Sequence, residues 1–524
     1  MFLHTLTTTL SLLLLPRLGL SQTTLTNPVI WQDHPDLDVF RIGHTFYYSS
    51  STFAYSPGAP LLRSFDLANW EAVTHSVPYL NFSPANAYNL TSGSRAYVKG
   101  IWASTLRYRP STDTFYWLGC IDGSKTHIWT SPGGNARQNG GEVPPQAWNW
   151  SPRPVISNCY YDAGLFFDDK DDSQAYVVYG NTQIRMAQLV VDQNGDLKEV
   201  RNQVVYTSGD MTLEGARLYK RNGDPWGPFE RRVLVDRIGG PLSSAGFAHQ
   251  GGIVDTQDGR WFYLGFLDAY PGGRIPVAAP LTWGGDGWPS VVRDGGNGWG
   301  RTYPLPVNTT RKVNVLGPRV DEFKGGKLGP EWEWNHNPDN GKWSLSDGLV
   351  LKTATVTGDL FAARNTLTHR IVGPKSRGTF RIDVGAMRDG DRAGAVLFRD
   401  KAAYIGIHKT GNTASIVMVD NLNLVEGSWT TSSTGRVAAT GPSVTGEIWL
   451  RIQADITPAF GTNTGRQVIF SYSTDGRTFT NLGPAFAMSN SWRYFTGYRY
   501  GVFNFATKAL GGEVKVKSFA MEMV

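Results

Sequence analysis

TFYWLGC (residues 114–120), followed after a short polar turn by HIWTSPG (127–133), sets the pattern by which the rest of the chain is read. Both runs are short, aromatic or β-branched, and bounded by Gly, Asp, Ser or Pro, which is the signature of paired strands. The pairing recurs. TFYYSSS (45–51) precedes LLRSFDLANW (61–70), QAYVVYG (174–180) precedes QIRMAQLVV (183–191), and RWFYLGF (260–266) stands later. No long helical period interrupts them after residue 22. Strand-only repeats of about 50–60 residues predict propeller blades. Residues 27 to 305 hold five, and such a ring must close, because each blade buries its faces only against its neighbours.

From Val320 the character changes. VDEFKGGKLGPEWEWNHNPDNGKWSL (320–345) opens a second region, and about nine alternating strands follow between GLVLKTATV (348–356) and EVKVKSFAME (513–522), a β-sandwich pattern. The expected division is a leader over 1–21, a propeller over 22–305, a linker over 306–319 and a sandwich over 320–524. So short a linker predicts that the two domains dock.

Composition narrows the function. The 524 residues carry a net charge of only +6, with no block of like charge. That excludes a polybasic nucleic-acid arm and an acidic tail. Aromatic residues reach 12%, charged residues only 18%, and glycine numbers 60 without a collagen period. This suits a turn-rich β protein that binds a ligand with flat apolar faces. The apolar run Leu10 to Leu15 and the small residues Gly19 and Ser21 read as a secretory leader cleaved before Gln22, although the only basic group ahead of the run is His4. No later segment is long and apolar enough to cross a bilayer. Sequons at Asn81, Asn89, Asn149 and Asn308 agree with export, those at Asn81 and Asn149 weakened by the Pro that follows. The two cysteines, Cys120 and Cys159, either pair or remain buried thiols, and they are too few for a zinc site.

The chemistry must come from carboxyl groups, since HExxH, GxSxG, a P-loop and GxGxxG are all absent. Three acids lie in aromatic, Gly-rich contexts on different repeats: Asp36 in WQDHPDLDVFR on the first, Asp162 in NCYYDAGLFFDD on the third, and Glu214 in MTLEGARLYKRNG on the fourth. Inner strands of a propeller converge on one axis, so three acids remote in sequence can meet in one pit.

With these contexts in view, the chain resembles glycoside hydrolase family 43. NPVIWQDHPDLDVFRIGHTFYYSSSTF, KGIWASTLRY, YYDAGLFFDD, LEGARLYKRNG, AHQGGIVDTQDGRWF and GGRIPVAAPLTWGGDGWP carry the likeness in order from residue 27 to 289. WEWNHNPDNGKWSL, ARNTLTHR, DGDRAGAVLFRD and GYRYGVFNFATKALGG resemble the concanavalin-A-like, jelly-roll sandwich attached to many β-xylosidases of that family. The resemblance implies a five-bladed propeller followed by that sandwich, and an inverting hydrolase. Asp36 matches the general base, Glu214 the general acid, and Asp162 the acid that orients Glu214 and tunes its pKa. Asp33 and Asp38 are rivals to Asp36, which is preferred because it follows His34-Pro35. Leu37 and Asp38 depart from the Pro and Ser usual there. Phe53, Trp102 and Tyr161 match walls of the sugar subsite, and Arg274 matches a substrate-contacting arginine. His249 matches a histidine near the axis that in many members touches bound calcium or a water network, so a structural Ca2+ there is an expectation, beside a plain hydrogen-bonded role. The chemistry itself requires no cofactor.

Inversion places the two working carboxyls about 6.5–9.5 Å apart, one protonating the leaving oxygen and one activating water. A negative Asp162 and partial desolvation are expected to raise Glu214 towards the working pH. Aromatic walls suit a pentose, whose C–H faces pack on rings. Asp168, Asp169, Asp171 and Asp172 read as a polar hairpin turn, since EF-hand spacing is lacking.

The fourth repeat departs from the family. The chain passes from Arg221-Asn222-Gly223 straight to Asp224-Pro225-Trp226, and only 35 residues separate Glu214 from His249 where 52 separate Asp162 from Glu214. About two strands are missing, through an omitted exon or through a real deletion that weakens or abolishes activity. The expected substrate is arabinoxylan or xylo-oligosaccharide, cleaved by an exported exo-acting enzyme that leans to α-L-arabinofuranosidase. β-D-Xylosidase is the alternative, and a carbohydrate-binding protein with impaired catalysis is the alternative of another class.

Overall fold

The computed structural model describes residues 23–209, 213–220, 226–235, 237–294 and 298–524. Four antiparallel four-stranded meanders surround an axis. The first blade comprises Asp38–Ile42, Thr45–Ser49, Gly58–Ser64 and Glu71–Val77, and the second Thr105–Arg109, Thr114–Ile121, Lys125–Pro132 and Ser151–Ile156. The third comprises Gly164–Phe167, Gln174–Asn181, Gln183–Val191 and Leu197–Thr207, and the last Ala248–Asp255, Trp261–Asp268, Arg274–Trp283 and Pro289–Val291. The leading strands lie innermost, that of the first blade between those of the last and the second, and that of the second against that of the third. Thr24–Thr26 pairs with Thr302–Pro304 and joins the two ends of the ring. The aromatic runs read as paired strands, TFYYSSS, TFYWLGC, QAYVVYG and RWFYLGF, are the second strands of the four blades and are largely buried. LLRSFDLANW is corrected, because only its first residues are strand. Asp66 Oδ1 then accepts from the backbone N–H groups of Ala68 (2.9 Å) and Asn69 (2.7 Å) and turns the chain.

Between Thr207 and Ala248 the described residues contain no strand. The place of the fourth blade's inner strand is taken by residues 213–220. A Cβ on Gly164 of the third blade would meet Ala216 O at 2.5 Å and Arg217 Cα at 2.8 Å. On the other side the Tyr219 hydroxyl accepts from Ile253 N of the last blade at 2.9 Å. Among the described residues the propeller is thus four full blades, with the segment 213–220 at the inner edge of the fourth position. The junction at residues 221–225 and the leader at 1–21 lie outside the described residues.

Cys120 and Cys159 form a disulfide that ties the second blade to the approach of the third. The linker lies along the first blade, with Asn314 N donating to Glu71 Oε2 at 2.8 Å and Leu316 N to Trp70 O at 2.8 Å.

The C-terminal region is a sandwich of a nine-stranded and an eight-stranded antiparallel sheet. Phe380, Ile382, Leu450, Ile452 and Phe519 of one sheet pack on Leu397, Ile405, Ile416, Tyr500 and Val502 of the other. Glu447–Asp455 alternates strictly between buried and half-buried positions, as a sheet with one covered face must. Docking is extensive. Tyr55–Ser56 of the propeller pairs with Trp332–Asn335 as the edge of the eight-stranded sheet. Beside it Glu333, fully buried, accepts from Arg370 Nη1 (2.8 Å) and Arg499 Nη1 (2.5 Å), and pairs with His75 Nε2 of the first blade (3.0 Å). Burial alone would raise the Glu333 carboxyl, but Arg370 and Arg499 hold it well below the ordinary range.

Glu333→Gln removes the one charge that both buried guanidiniums share. Breaking a buried pair from one side costs about 3–5 kcal/mol. Equilibrium urea unfolding is expected to show a loss of that order, and a loss under about 1 kcal/mol would contradict the shared-charge account.

Candidate active site

At one mouth of the ring lies a cavity of about 510 Å³ lined by Asp36, Phe53, Val98, Trp102, Ala103, Tyr161, Asp162, Leu213, Glu214, His249, Gln250, Arg274 and Phe495. All eight residues expected from the sequence line it, including every proposed catalytic carboxyl. Asp36 and Asp162 each stand two residues ahead of the inner strand of their blade, with left-handed backbone (φ +56° and +51°). Aspartate is among the few residues that accept this conformation.

Both Asp36 oxygens are engaged. Ser51 Oγ donates to Oδ2 at 2.7 Å and Arg274 Nη1 to Oδ1 at 2.5 Å. Arg274 also lies 3.5 Å from Asp268 Oδ1, with its guanidinium over Phe266 and Phe495. Its burial alone would favour deprotonation, but Asp36, Tyr270 and Asp268 raise its pKa, so it stays a cation. The rivals of Asp36 are structural. Asp33 accepts from Arg274 N (2.7 Å) and from Gly497 N of the sandwich (2.9 Å). Asp38 is wholly buried against Arg107 (2.6 Å) and Arg217 (3.2 Å).

Glu214 Oε2 accepts from Tyr161 Oη at 3.2 Å and from Asn181 Nδ2 at 3.0 Å. Its side chain is exposed, whereas Asp162 is buried. The sequence placed the raised carboxyl at Glu214. Asp162 is pushed up to about 8 by burial and then by the negative charges of Asp36 and Glu214, against the pull of Arg217 and Arg274. The physical reason is that desolvation acts on a buried acid.

The walls are aromatic. Phe53 (φ +54°) stacks on Phe495 with centroids 5.6 Å apart and planes at 20°. Trp102 meets Tyr161 edge-on at 6.3 Å. Phe495 comes from the sandwich and, with Gln250, was not foreseen. Gln250 Nε2 lies 3.5 Å from Asp162 Oδ2. Neither residue carries a local sequence signal, because each reaches the cavity through a left-handed backbone (φ +63° and +51°) and packing between remote segments.

His249 Nε2 lies 3.1 Å from Asp268 Oδ2, and its ring sits edge-on to Phe266 at 4.5 Å. Among the described residues no group of three or more His, Cys, Asp or Glu side chains is placed to hold a metal ion. Among the described residues His249 has no set of protein co-ligands for calcium, and the hydrogen bond to Asp268 is the contact that the structure gives it. A larger cavity, about 850 Å³, opens at the opposite mouth of the ring. Two ion pairs cross it, Arg41 with Asp255 at 2.6 Å and Lys220 with Asp169 at 2.6 Å. Asp168 and Asp171 there form the expected hairpin turn, accepting from Lys170 N and Ser173 N.

The family described as "Glycosyl hydrolases family 43" matches residues 25–226, and "Beta xylosidase C-terminal Concanavalin A-like domain" matches 320–522. A solved GH43 glycoside hydrolase, reported as engineered at its active site to display both endo-xylanase and exo-arabinofuranosidase activity, is 60% identical. It covers 96% of this chain and 100% of its own, with a TM-score of 0.92. The chain belongs to glycoside hydrolase family 43. A beta-xylosidase from Formosa agariphila is 26% identical over 95% of this chain and 90% of that protein. The non-reducing end alpha-L-arabinofuranosidase BoGH43B from Bacteroides ovatus is 29% identical over 63% of this chain and 64% of its own. The family 43 protein is a glycosidase, and the carboxyl-lined cavity at the propeller mouth is where acid–base cleavage of a glycosidic bond fits.

Asp162 carries a pH signature. Its folded pKa of about 8 lies above the unfolded value of 3.8. The folded state therefore keeps this proton where the unfolded chain has lost it. The stability this gives is full below pH 3.8 and is lost as pH rises through about 8. Against an Asp162→Asn variant, the wild type is expected to lose urea stability steadily over that window. Parallel pH profiles for the two proteins would contradict the shift.

Proposed function

We propose that this glycosidase is an exported, exo-acting, inverting pentosidase that releases α-L-arabinofuranose from arabinoxylan fragments. The observation that carries the reading is the meeting of Asp36, Asp162 and Glu214, from three different repeats, in one aromatic-walled cavity. Glu214 protonates the leaving oxygen and Asp36 takes a proton from the attacking water. Arg274 and Ser51 fix the Asp36 oxygens, so the base is oriented before substrate arrives. Asp162 governs the charge beside the acid. Phe53, Trp102, Tyr161 and Phe495 supply faces for the sugar C–H groups, while Arg274, His249 and Gln250 offer polar partners to its hydroxyls.

The arabinofuranosidase preference draws on the 60% identical relative and its exo-arabinofuranosidase activity. β-D-Xylosidase is the second reading, favoured by the xylosidase-named relative that spans nearly the whole chain and by the sandwich. Export is supported by the Cys120–Cys159 disulfide, since such bonds persist in oxidising compartments. Among the described residues no helix is long and apolar enough to cross a membrane. The exposure of Glu214 favours one further reading, a carbohydrate-binding protein that has lost turnover.

Aryl α-L-arabinofuranoside and aryl β-D-xyloside are assayed side by side, with the product anomer read by NMR. The expected result is faster turnover of the arabinofuranoside with inverted configuration. Asp36→Asn is expected to abolish turnover on both. Glu214→Gln is expected to lower rates on poor leaving groups about 100-fold or more and to spare activated aryl groups, which need little protonation. Retained configuration would refute the acid and base roles. Binding of xylo-oligosaccharide without turnover of either glycoside would favour the binding-protein reading.

A further inference from the structure

Arg217 lies three residues beyond Glu214 with a side chain only 3% exposed, and it does not line the cavity. Its contacts are unusual in their targets. Nη1 donates to Ala163 O at 2.8 Å and Ala216 O at 2.9 Å. Nη2 donates to Leu37 O at 3.0 Å and Ser104 O at 3.2 Å. Nε lies 3.2 Å from Asp38 Oδ1, which balances the charge. Leu37 directly follows Asp36, Ala163 directly follows Asp162, and Ala216 is two residues past Glu214. Ser104 directly follows Ala103 of the cavity wall. One planar group with donors in a rigid fork therefore touches the backbone beside each of the three carboxyls.

In the other blades the inner strand is held by its ladder to the second strand. Residues 213–220 have no such ladder among the described residues. Their anchors are mostly side chains, Arg217 at the axis and Tyr219 to the last blade. We infer that Arg217 is a positioning residue: its guanidinium sets the separation between the acid-bearing segment and the loops of Asp36 and Asp162, where the described residues of the fourth repeat have no strand pairing to do so. The inference rests on the assignment of Glu214 as acid and Asp36 as base.

The test is Arg217→Lys. Lysine keeps the charge opposite Asp38, but its donors radiate from one nitrogen and cannot span carbonyls on three blades. A misplacement of about 1 Å costs on the order of 100-fold in rate. The expected result is a fall of about that size in kcat on arabinoxylan oligosaccharides, whose leaving group needs the acid. On dinitrophenyl arabinofuranoside the expected fall is about tenfold or less, because the acid is then dispensable. KM and inhibition by free arabinose should stay within about twofold, since the aromatic rings of Phe53, Trp102, Tyr161 and Phe495 are not among the contacts of Arg217. Equal losses on both substrates, or no loss on either, would overturn the positioning role. Glu214→Gln is run in parallel. If that variant shows no leaving-group split, the acid assignment fails and takes this inference with it. A split in Glu214→Gln without one in Arg217→Lys overturns the inference alone. Should Arg217→Lys fail to fold, Arg217→Gln is read in the same way, and failure of both to fold overturns the proposal in favour of a purely structural arginine.

Discussion

Asp38 is the constraint on which the propeller depends. Fully buried at the axis, it accepts from Thr105 Oγ1 (2.8 Å), Leu106 N (3.0 Å) and Arg107 Nη1 (2.6 Å) of the second blade, and faces Arg217 from the fourth position. Burial alone would drive this carboxyl to neutrality, but Arg107 and Arg217 hold its pKa below the ordinary value. The first blade, the second blade and the acid-bearing segment are therefore fastened to one charge. Thr105 extends the connection, because its hydroxyl also accepts from Leu165 N of the third blade at 2.9 Å. A ring with no described strand at one position keeps its centre through this polar knot. Buried polar groups are costly when unsatisfied, and here Thr105 Oγ1, Leu106 N and Arg107 Nη1 all donate to Asp38 while Arg217 faces it as an ion pair.

A second constraint works from outside the ring. Asp33, three residues before Asp36, bridges Arg274 N and Gly497 N, so the loop bearing the base is pinned to the sandwich. Arg370 Nε donates to Asp33 O at 2.8 Å, which links that loop to the Glu333 cluster. The pinning explains why Asp36 can hold a left-handed backbone without a glycine. The loop is fixed at both ends, and its local strain is offset by interdomain contacts.

The strands were legible where one face is buried and the other is not. EIWLRIQAD alternates for that reason, whereas TFYWLGC is buried on both faces and was read from its aromatic run between turn residues. Thr431–Ser443 was not foreseen, because TSSTGRVAATGPS is a polar edge strand with little burial on either face. The three carboxyl contexts were legible because Asp and Glu beside aromatic and glycine residues are uncommon at strand ends. Choosing Asp36 over Asp33 and Asp38 needed the likeness to a family, since all three are buried and only geometry separates the one that faces the cavity. Sequence proximity suggests which charges will meet but not which of them is desolvated, and Asp162 is the buried one.

The segment Tyr55–Ser56 that edges the sandwich sheet follows Phe53, and Phe53 stacks on Phe495 across the domain boundary. The pocket wall is thus stitched to a neighbouring fold by main chain on one side and by a ring on the other. Recombination that exchanged either half between relatives would mismatch both seams at once. The two modules can drift, duplicate or be transplanted only as a single cassette, although each has a hydrophobic core of its own.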